Sequence, residues 1–433
     1  MTSLGLWNAS GLCATAAPAA VGSSATGWVG PPVIALLVAL AALFMASRRL
    51  RTYAFTLWVF VFVAASMFYP AAFGTWFGAD LKVLIVPLIQ VIMFGMGTTL
   101  GLADFGRVLA MPWPVLVGFV LQFSIMPCLG FALATAFGFE PEIAAGVVLI
   151  GSAPGGVASN VMTYLARANV ALSVTMTACS TLASPLMTPL MMKLLAGQYV
   201  QVDFWGMMLE ICDMILVPLL AGLVANRVLY GRQPLLRRAA VLGGLGVISL
   251  AAATVVGWLG ADCLGGIRGG LVVGLLMFGV VVLAKLVVDV LLGGPEKWMD
   301  KALPIVSMFG ICFIIGIITA RSAEPLRTVG LALVAAAMLH NSLGYLLGYW
   351  GARLCRLSES DCRTVAIEVG MQNGGMASAL AMNTLQSVKA ALAPAIFGPW
   401  MNVSASMLAT WWRRRPPEAP VTQRQFAPVE VRR

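Results

Sequence analysis

The sequence predicts an all-α polytopic membrane protein of about 13 transmembrane helices, in two inverted halves that each carry an interrupted helix. Three observations predict it. Apolar runs recur along the whole chain, basic residues gather in every second connection, and two crossings lose their apolar pattern at mid-depth.

Of the 433 residues, 60% are hydrophobic and only 10% charged, with a mean hydropathy of +0.93. A soluble chain carries about 25% charged residues to cover its surface, so this composition excludes one. A bilayer crossing takes roughly 20 apolar residues. Such runs lie at 30–47, 53–71, 82–101, 113–137, 142–166, 169–192, 204–226, 238–259, 269–292, 302–320, 326–350, 362–387 and 391–412. The net charge of +10 does not point to nucleic acid. The basic residues sit between the runs and in the tail (Arg413, Arg414, Arg415), where charges fix topology. The eight cysteines form no CxxC pair and read as packing residues, not as a metal or disulfide framework. Residues 1–28 are rich in Ala, Gly and Ser but lack the basic start of a secretory signal, and read as an N-terminal tail.

Orientation follows from the charges. One set of alternate connections holds Arg48, Arg49, Arg51, Arg107, Arg167, Arg227, Arg232, Arg237, Arg238, Lys297, Lys301, Arg353, Arg356, Arg363 and the tail, 20 of the 27 Lys and Arg. The other holds Lys82, Lys193, Arg268, Arg321, Arg327 and Lys389. Losing one crossing would scramble this asymmetry. The N-terminus is therefore expected outside and the C-terminus in the cytoplasm. The Ala/Gly/Arg-rich composition suggests a bacterium, hence its inner membrane.

The first interrupted crossing reads Gly151-Ser152-Ala153-Pro154-Gly155-Gly156-Val157-Ala158-Ser159-Asn160, and the second Glu368-Val369-Gly370-Met371-Gln372-Asn373-Gly374-Gly375. Proline removes a donor and the glycines release the helix. Unwound backbone at this depth survives only where protein, water or an ion satisfies it. By the loop charges the two crossings run antiparallel, and each is followed by one further span. That is an inverted repeat, and paired interruptions are the sequence pointer to a transporter site. Read alone, Pro-Gly-Gly is equally a kink, but the costly intramembrane carboxylate of Glu368 favours function.

A sodium ion prefers several hard oxygen ligands, as calcium and magnesium do. The two motifs offer the Glu368 carboxylate, the Asn160, Gln372 and Asn373 amides, and freed carbonyls near Val369 and Met371. Ser173 and Thr177, four residues apart, add hydroxyls on one helix face. Back-bonding to their own helix is the equal alternative. Half-helix N-termini near Val157 and Gly375 would present partial positive charge, which suits an anionic substrate.

At these residues the chain resembles the bile acid:sodium symporter family, as a bacterial member with extra transmembrane helices. The resemblance rests on Pro154-Gly155-Gly156 with Ser159-Asn160, and on the run Glu368 to Asn373. It is supported by FGMGTTLGL from Phe94, Gln122 in QFSIMP, Leu339-His340-Asn341 and the run Phe397–Ser404. It covers about 53–413, except 232–300. It implies a secondary transporter whose core, with two crossed discontinuous helices, moves against a panel domain, and it implies two sodium sites. Ser159, Asn160, Ser173, Thr177 and Glu368 match the first, and Gln122, Glu368, Val369, Met371 and Gln372 the second. Pro154, Gly155, Gly156, Asn373, Gly374 and Asn402 are the implied substrate-binding residues. Sodium is the only metal ion implied and there is no cofactor. The expected partners are an organic anion, sodium ions and the bilayer, not nucleic acid; no oligomeric state follows.

The resemblance divides the chain into the tail 1–28, an extra helix 29–52, a first half 53–231, an inserted pair 232–300, a second half 301–413 and a cytoplasmic tail 414–433. Met401 stands where bacterial relatives often have His, which leaves the substrate among bile-acid-like anions, steroid sulfates and small carboxylates such as pantoate. Glu210 and Asp213 depart from the family pattern and read as a periplasm-facing helix end. Lys285 and Asp289, i and i+4, are expected to neutralise each other. His340 is expected to hydrogen-bond between helices. The function expected is sodium-coupled import by alternating access. The rival readings are a proton- or cation-exchanging carrier of the same fold and a non-transporting membrane sensor. No Ser/His pair, HExxH motif or aspartate pair at helical spacing supports an intramembrane enzyme.

Overall fold

The structure is a computed structural model that describes residues 29–47, 54–101, 106–108, 110–231, 236, 238–259, 266–293 and 298–415. The N-terminal tail 1–28 and residues 416–433 of the C-terminal tail lie outside these.

Each expected crossing is a helix or a pair of half-helices. They are α1 (Gly30–Ala46), α2 (Ala54–Phe68), α3 (Ile85–Thr99), α4 (Pro112–Ala136), the pair α5 (Pro141–Ser152) and α6 (Ala158–Leu165), and α7 (Val170–Met191). There follow α8 (Phe204–Tyr230), α9 (Ala239–Trp258) and α10 (Arg268–Leu291). The last are α11 (Met299–Arg321), α12 (Ala323–Leu354), the pair α13 (Glu359–Gly370) and α14 (Gly374–Asn383), and α15 (Val388–Arg413). A two-residue hairpin, Thr75–Trp76 with Ala79–Asp80, precedes α3. Its end is fixed by the Lys82 backbone N–H donating to Asp80 and by Arg321 on the same carboxylate.

Seven helices among the described residues are each long and apolar enough to cross a membrane. The others fall short for physical reasons. Helices α1 and α2 have 17 and 15 residues, and α5 and α13 stop after 12. Helix α13 also carries Glu359, Asp361, Arg363 and Glu368.

The helices segregate into two bodies, a panel and a core. In the panel, α2 packs on α11, α3 on α8 and α11, and α10 on α8 and α3. The α3–α8 contact is close because Gly97 faces Gly222: a methyl on Gly97 would lie 3.0 Å from the Gly222 Cα. In the core, α4 packs on α5 as α12 packs on α13, and α4 also meets α12 and α7. Helix α15 packs on α5 and α6, and α13 on α6 and α7. The panel meets the core where α14 touches α3 and α8 and where α15 touches α2 and α11. The packing partners of α6 are core helices: α7, α13 and α15.

The inserted pair is built onto the panel. Helix α8 widens into a π turn at Cys212–Leu216, where Asp213 accepts the N–H groups of Gly269 and Gly270 at the start of α10. A carboxylate there satisfies donors that the helix start leaves open, and it complements the helix dipole. Gln90 of α3 donates to the same carboxylate at 3.3 Å. At the other end, Lys285 donates to the carbonyls of Val228 and Leu229, which close α8. Asp289 accepts the Trp298 indole N–H at 3.0 Å. A π turn at Leu286–Leu291 follows Lys285 directly and carries Asp289.

Candidate functional site

The two interruptions meet at the centre of the core and hydrogen-bond to each other. Gly156 N–H donates to the Met371 carbonyl at 3.0 Å, and Asn373 N–H donates to the Pro154 carbonyl at 2.8 Å. These bonds make an antiparallel bridge between Gly155 and Gln372. The unwound backbone thus satisfies part of itself, as burial in an apolar medium demands. Two side chains from neighbouring helices serve the ends of the outer turns. Thr188 of α7 donates to the Ser152 carbonyl at 2.8 Å, and Asn341 of α12 to the Gly370 carbonyl at 2.6 Å.

The crossing needs its glycines for close approach. A methyl on Gly155 would lie 2.8 Å from Glu368 Oε2, and one on Gly156 would lie 2.9 Å from the Gln372 carbonyl. Both are shorter than a carbon–oxygen contact, so Glu368 and the bridge would have to move.

Glu368, 2% exposed, turns its carboxylate into a ring of hydroxyls. Ser159 of α6 donates to Oε1 at 2.5 Å, Thr177 of α7 to Oε2 at 2.9 Å, and Ser173 of α7 to Oε1. Each hydroxyl also faces a second acceptor: Ser159 the Gly156 carbonyl at 2.7 Å, Ser173 the Asn160 Oδ1 at 2.8 Å, and Thr177 the Ser173 carbonyl at 3.0 Å. A hydroxyl has one proton to give, so each of the three has two acceptors within reach and can serve only one fully. The cluster is rich in oxygen and short of protons. Ser159, Asn160, Ser173, Thr177 and Glu368 are all brought together here.

A second cluster adjoins it. Gln122 of α4 donates to Gln372 Oε1 at 2.6 Å and to the Ala153 carbonyl at 3.2 Å, and Gln372 donates to the Val369 carbonyl at 2.6 Å. The Gln122 Oε1 is buried without a partner among the described residues. The Met371 carbonyl, shared with Gly156, borders the same bridge. Gln122, Val369, Met371 and Gln372 thus come together, while every side-chain hydrogen bond described for Glu368 lies in the first cluster.

The six residues expected at the substrate divide. Pro154, Gly155 and Gly156 are buried within the crossing. Asn373, Gly374 and Asn402 are partly open. Asn373 also caps α14, its Oδ1 accepting Met376 N–H at 3.1 Å. Asn402 donates back to the Gly398 carbonyl of its own helix at 2.9 Å. His340 contacts the Met126 carbonyl at 3.0 Å, bridging α12 and α4 as expected. Glu210 accepts the Thr384 hydroxyl at 2.5 Å, a contact between panel helix α8 and the end of α14.

Sequence reasoning missed Thr188, Asn341 and Ser180 as supports of the breaks; Ser180 accepts the Gly155 N–H at 3.3 Å. The available signal was the run of hydroxyls along Val170–Met191 and the His340-Asn341-Ser342 cluster, both in spans beside the breaks.

A family model described as the Sodium Bile acid symporter family matches residues 86–260, which include the first broken crossing. YocS of Bacillus subtilis, named an uncharacterized sodium-dependent transporter, is 34% identical over 361 residues, 83% of this chain and 91% of its own length. A probable chloroplastic sodium/metabolite cotransporter of Arabidopsis thaliana, BASS1, is 29% identical over 365 residues, 84% of this chain and 74% of its own. Among solved structures, the sodium proton antiporter MjNhaP1 of Methanocaldococcus jannaschii at pH 8 aligns over 91% of this chain and 100% of its own. Its TM-score is 0.50 at 13% identity, a likeness of fold alone. The identity to YocS extends over nearly the whole of both chains, far beyond the segment the family model matches, and on that ground this chain belongs to the sodium bile acid symporter family.

Proposed function

We propose that the chain is a sodium-coupled importer of an organic anion that works by alternating access. The observation that carries this reading is the proton-poor oxygen cluster around Glu368. A hard monovalent cation satisfies at once the acceptors that the three hydroxyls cannot all reach. The orphaned Gln122 Oε1 supports a second cation beside the bridge. Sodium binding neutralises Glu368 and ties α6, α7 and α13 together, which orders the crossing. The starts of α6 and α14 then hold an anion between them. Asn373, Gly374 and Asn402 bound that space, and Pro154, Gly155 and Gly156 shape it through the backbone.

Two sodium ions with one monoanion move one positive charge inward, so 100 mV of negative-inside potential adds about 2.3 kcal/mol to import. The membrane is the bacterial inner membrane, with the N-terminus outside. In that orientation Glu210–Thr384 and the Lys82–Gln386 contact of 3.4 Å join panel to core at the outer end. The described residues therefore correspond to a state closed to the outside. The inverted halves are best divided near residue 200. A split at 231 gives six crossings and four, whereas α2–α7 and α8 with α11–α15 give five each, and matched pairings such as α4–α5 and α12–α13 follow.

The test is the thermal stability of purified protein in NaCl, KCl and choline chloride, for wild type and Glu368→Ala. A ligand at about 100 times its Kd adds roughly 2.7 kcal/mol. Stabilisation by sodium alone, absent in the variant, is expected. No sodium effect up to several-hundred-millimolar concentrations (on the order of weak-site occupancy), with anion uptake driven by pH, would replace this reading by a proton-coupled carrier.

A further inference from the structure

We propose that the core carries a binding groove for an anionic phospholipid of the cytoplasmic leaflet, between α12, α13 and α15. The groove holds about 710 Å³ and is walled by Tyr345, Tyr349, Trp350, Trp400, Trp411 and Trp412. Among its polar groups, Tyr345 shares its hydroxyl with Ser404 at 3.2 Å and Ser404 donates to Asn341, while the Trp400 indole N–H is buried without a partner among the described residues. What faces a ligand there is aromatic and aliphatic surface, suited to an acyl chain.

The mouth is different. Arg363, with a side chain 7% exposed, lies 5.6 Å over the Trp412 ring and donates to the Arg415 carbonyl at 2.7 Å. It thereby pins the end of α15 so that Arg415 stacks on Trp411 at 4.8 Å. Glu359 is the acid among the lining residues, and Arg363 at 2.8 Å and Arg353 at 4.0 Å already neutralise it. Among the charged residues that line the groove, Arg363 and Arg415 outnumber Glu359. The mouth is therefore net positive, and basic pockets between helices on the cytoplasmic side select anionic headgroups.

Length agrees. From Trp400 to Arg415, at 1.5 Å per residue, is about 22 Å. That is the depth of one leaflet with its headgroup layer, about 20–22 Å. The groove is separate from the substrate space. At about 100° per residue, Asn402 lies on the side of α15 opposite Trp400, Ser404 and Trp411. All lining helices belong to the core, so a lipid held here travels with it. The assignment of this end to the cytoplasm rests on the orientation proposed above, but binding itself does not.

The experiment is native mass spectrometry of delipidated full-length protein titrated with phosphatidylglycerol or phosphatidylcholine. Wild type, Arg415→Gln, Trp411→Ala and the control Arg356→Gln, outside the groove lining, are compared. At least about tenfold tighter binding of phosphatidylglycerol is expected, an advantage of about 1.4 kcal/mol. Arg415→Gln removes most of it and Arg356→Gln keeps it. Trp411→Ala weakens both lipids. Equal affinity for the two lipids overturns the proposal, as does equal loss in Arg415→Gln and Arg356→Gln, or displacement of the lipid by millimolar inorganic phosphate. Sodium stabilisation in the same preparations reports separately on the transport reading.

Discussion

Two of the carboxylates carried by the crossings, Asp213 and Glu368, have surroundings that differ in kind. Asp213 in the panel is met by backbone N–H groups at the start of α10 and by the Gln90 amide. The backbone N–H groups are fixed in direction and have no lone pair to offer a cation, and Gln90 turns its NH2 toward the acid. Glu368 in the core is met by hydroxyls of Ser159, Ser173 and Thr177, which rotate and can accept as well as donate. An acid whose partners are donors only is a structural anchor. An acid whose partners can turn their lone pairs inward can receive a cation.

Substitutions can break or sharpen that contrast. The largest effect is expected at Gly155→Ala, where the new methyl meets Glu368 Oε2. Sodium-driven anion uptake into proteoliposomes should fall to background, with a folded protein by size-exclusion chromatography. Normal uptake would mean that the packing of the crossing is not needed. Next is Asp213→Asn, which weakens the anchoring of the inserted pair by about 1–2 kcal/mol. The melting temperature should drop equally in NaCl and KCl, leaving the sodium-specific increment unchanged. An increment lost in this variant would make Asp213 part of the cation site.

Smaller effects are expected at the rim. Thr384→Val removes a panel-to-core hydrogen bond worth about 1 kcal/mol. It should raise outward-facing populations about fivefold, read as faster labelling of an engineered outer cysteine. Unchanged labelling would place that bond outside the gating motion. Smallest is Arg321→Gln. The Lys82 backbone N–H, with Arg321, holds the Asp80 carboxyl below its ordinary range. A depressed acid contributes stability above its unfolded pKa and loses it as pH falls through the folded value. That loss should shrink but persist in the variant, because the Lys82 N–H still holds the carboxylate, with a change at neutral pH below about 1 kcal/mol because the pair is partly exposed.

The fold was legible because topology is written in local features. Arg167, Arg353 and Arg356 mark one face of the membrane, Lys193 and Lys389 the other. Pro154-Gly155-Gly156 and Gly374-Gly375 announce the breaks. The first oxygen cluster was legible through Glu368, since a carboxylate at that depth needs partners and Ser173 and Thr177 share a helix face. What stayed hidden depends on distant contacts. Asp213 caps a helix that begins at Arg268, inside the insertion. The π turns at Cys212–Leu216 and Leu286–Leu291 follow from packing, which periodicity does not display. Asn373 looked like a ligand and also serves as the α14 cap, because an N-cap needs the same oxygen as a binding site.

The most direct test is binding of radiolabelled sodium to purified protein, for wild type, Glu368→Gln and Asp213→Asn. Saturable binding in wild type and Asp213→Asn, abolished in Glu368→Gln, is the predicted result. Equal binding in wild type and Glu368→Gln would contradict a cation site at the crossing.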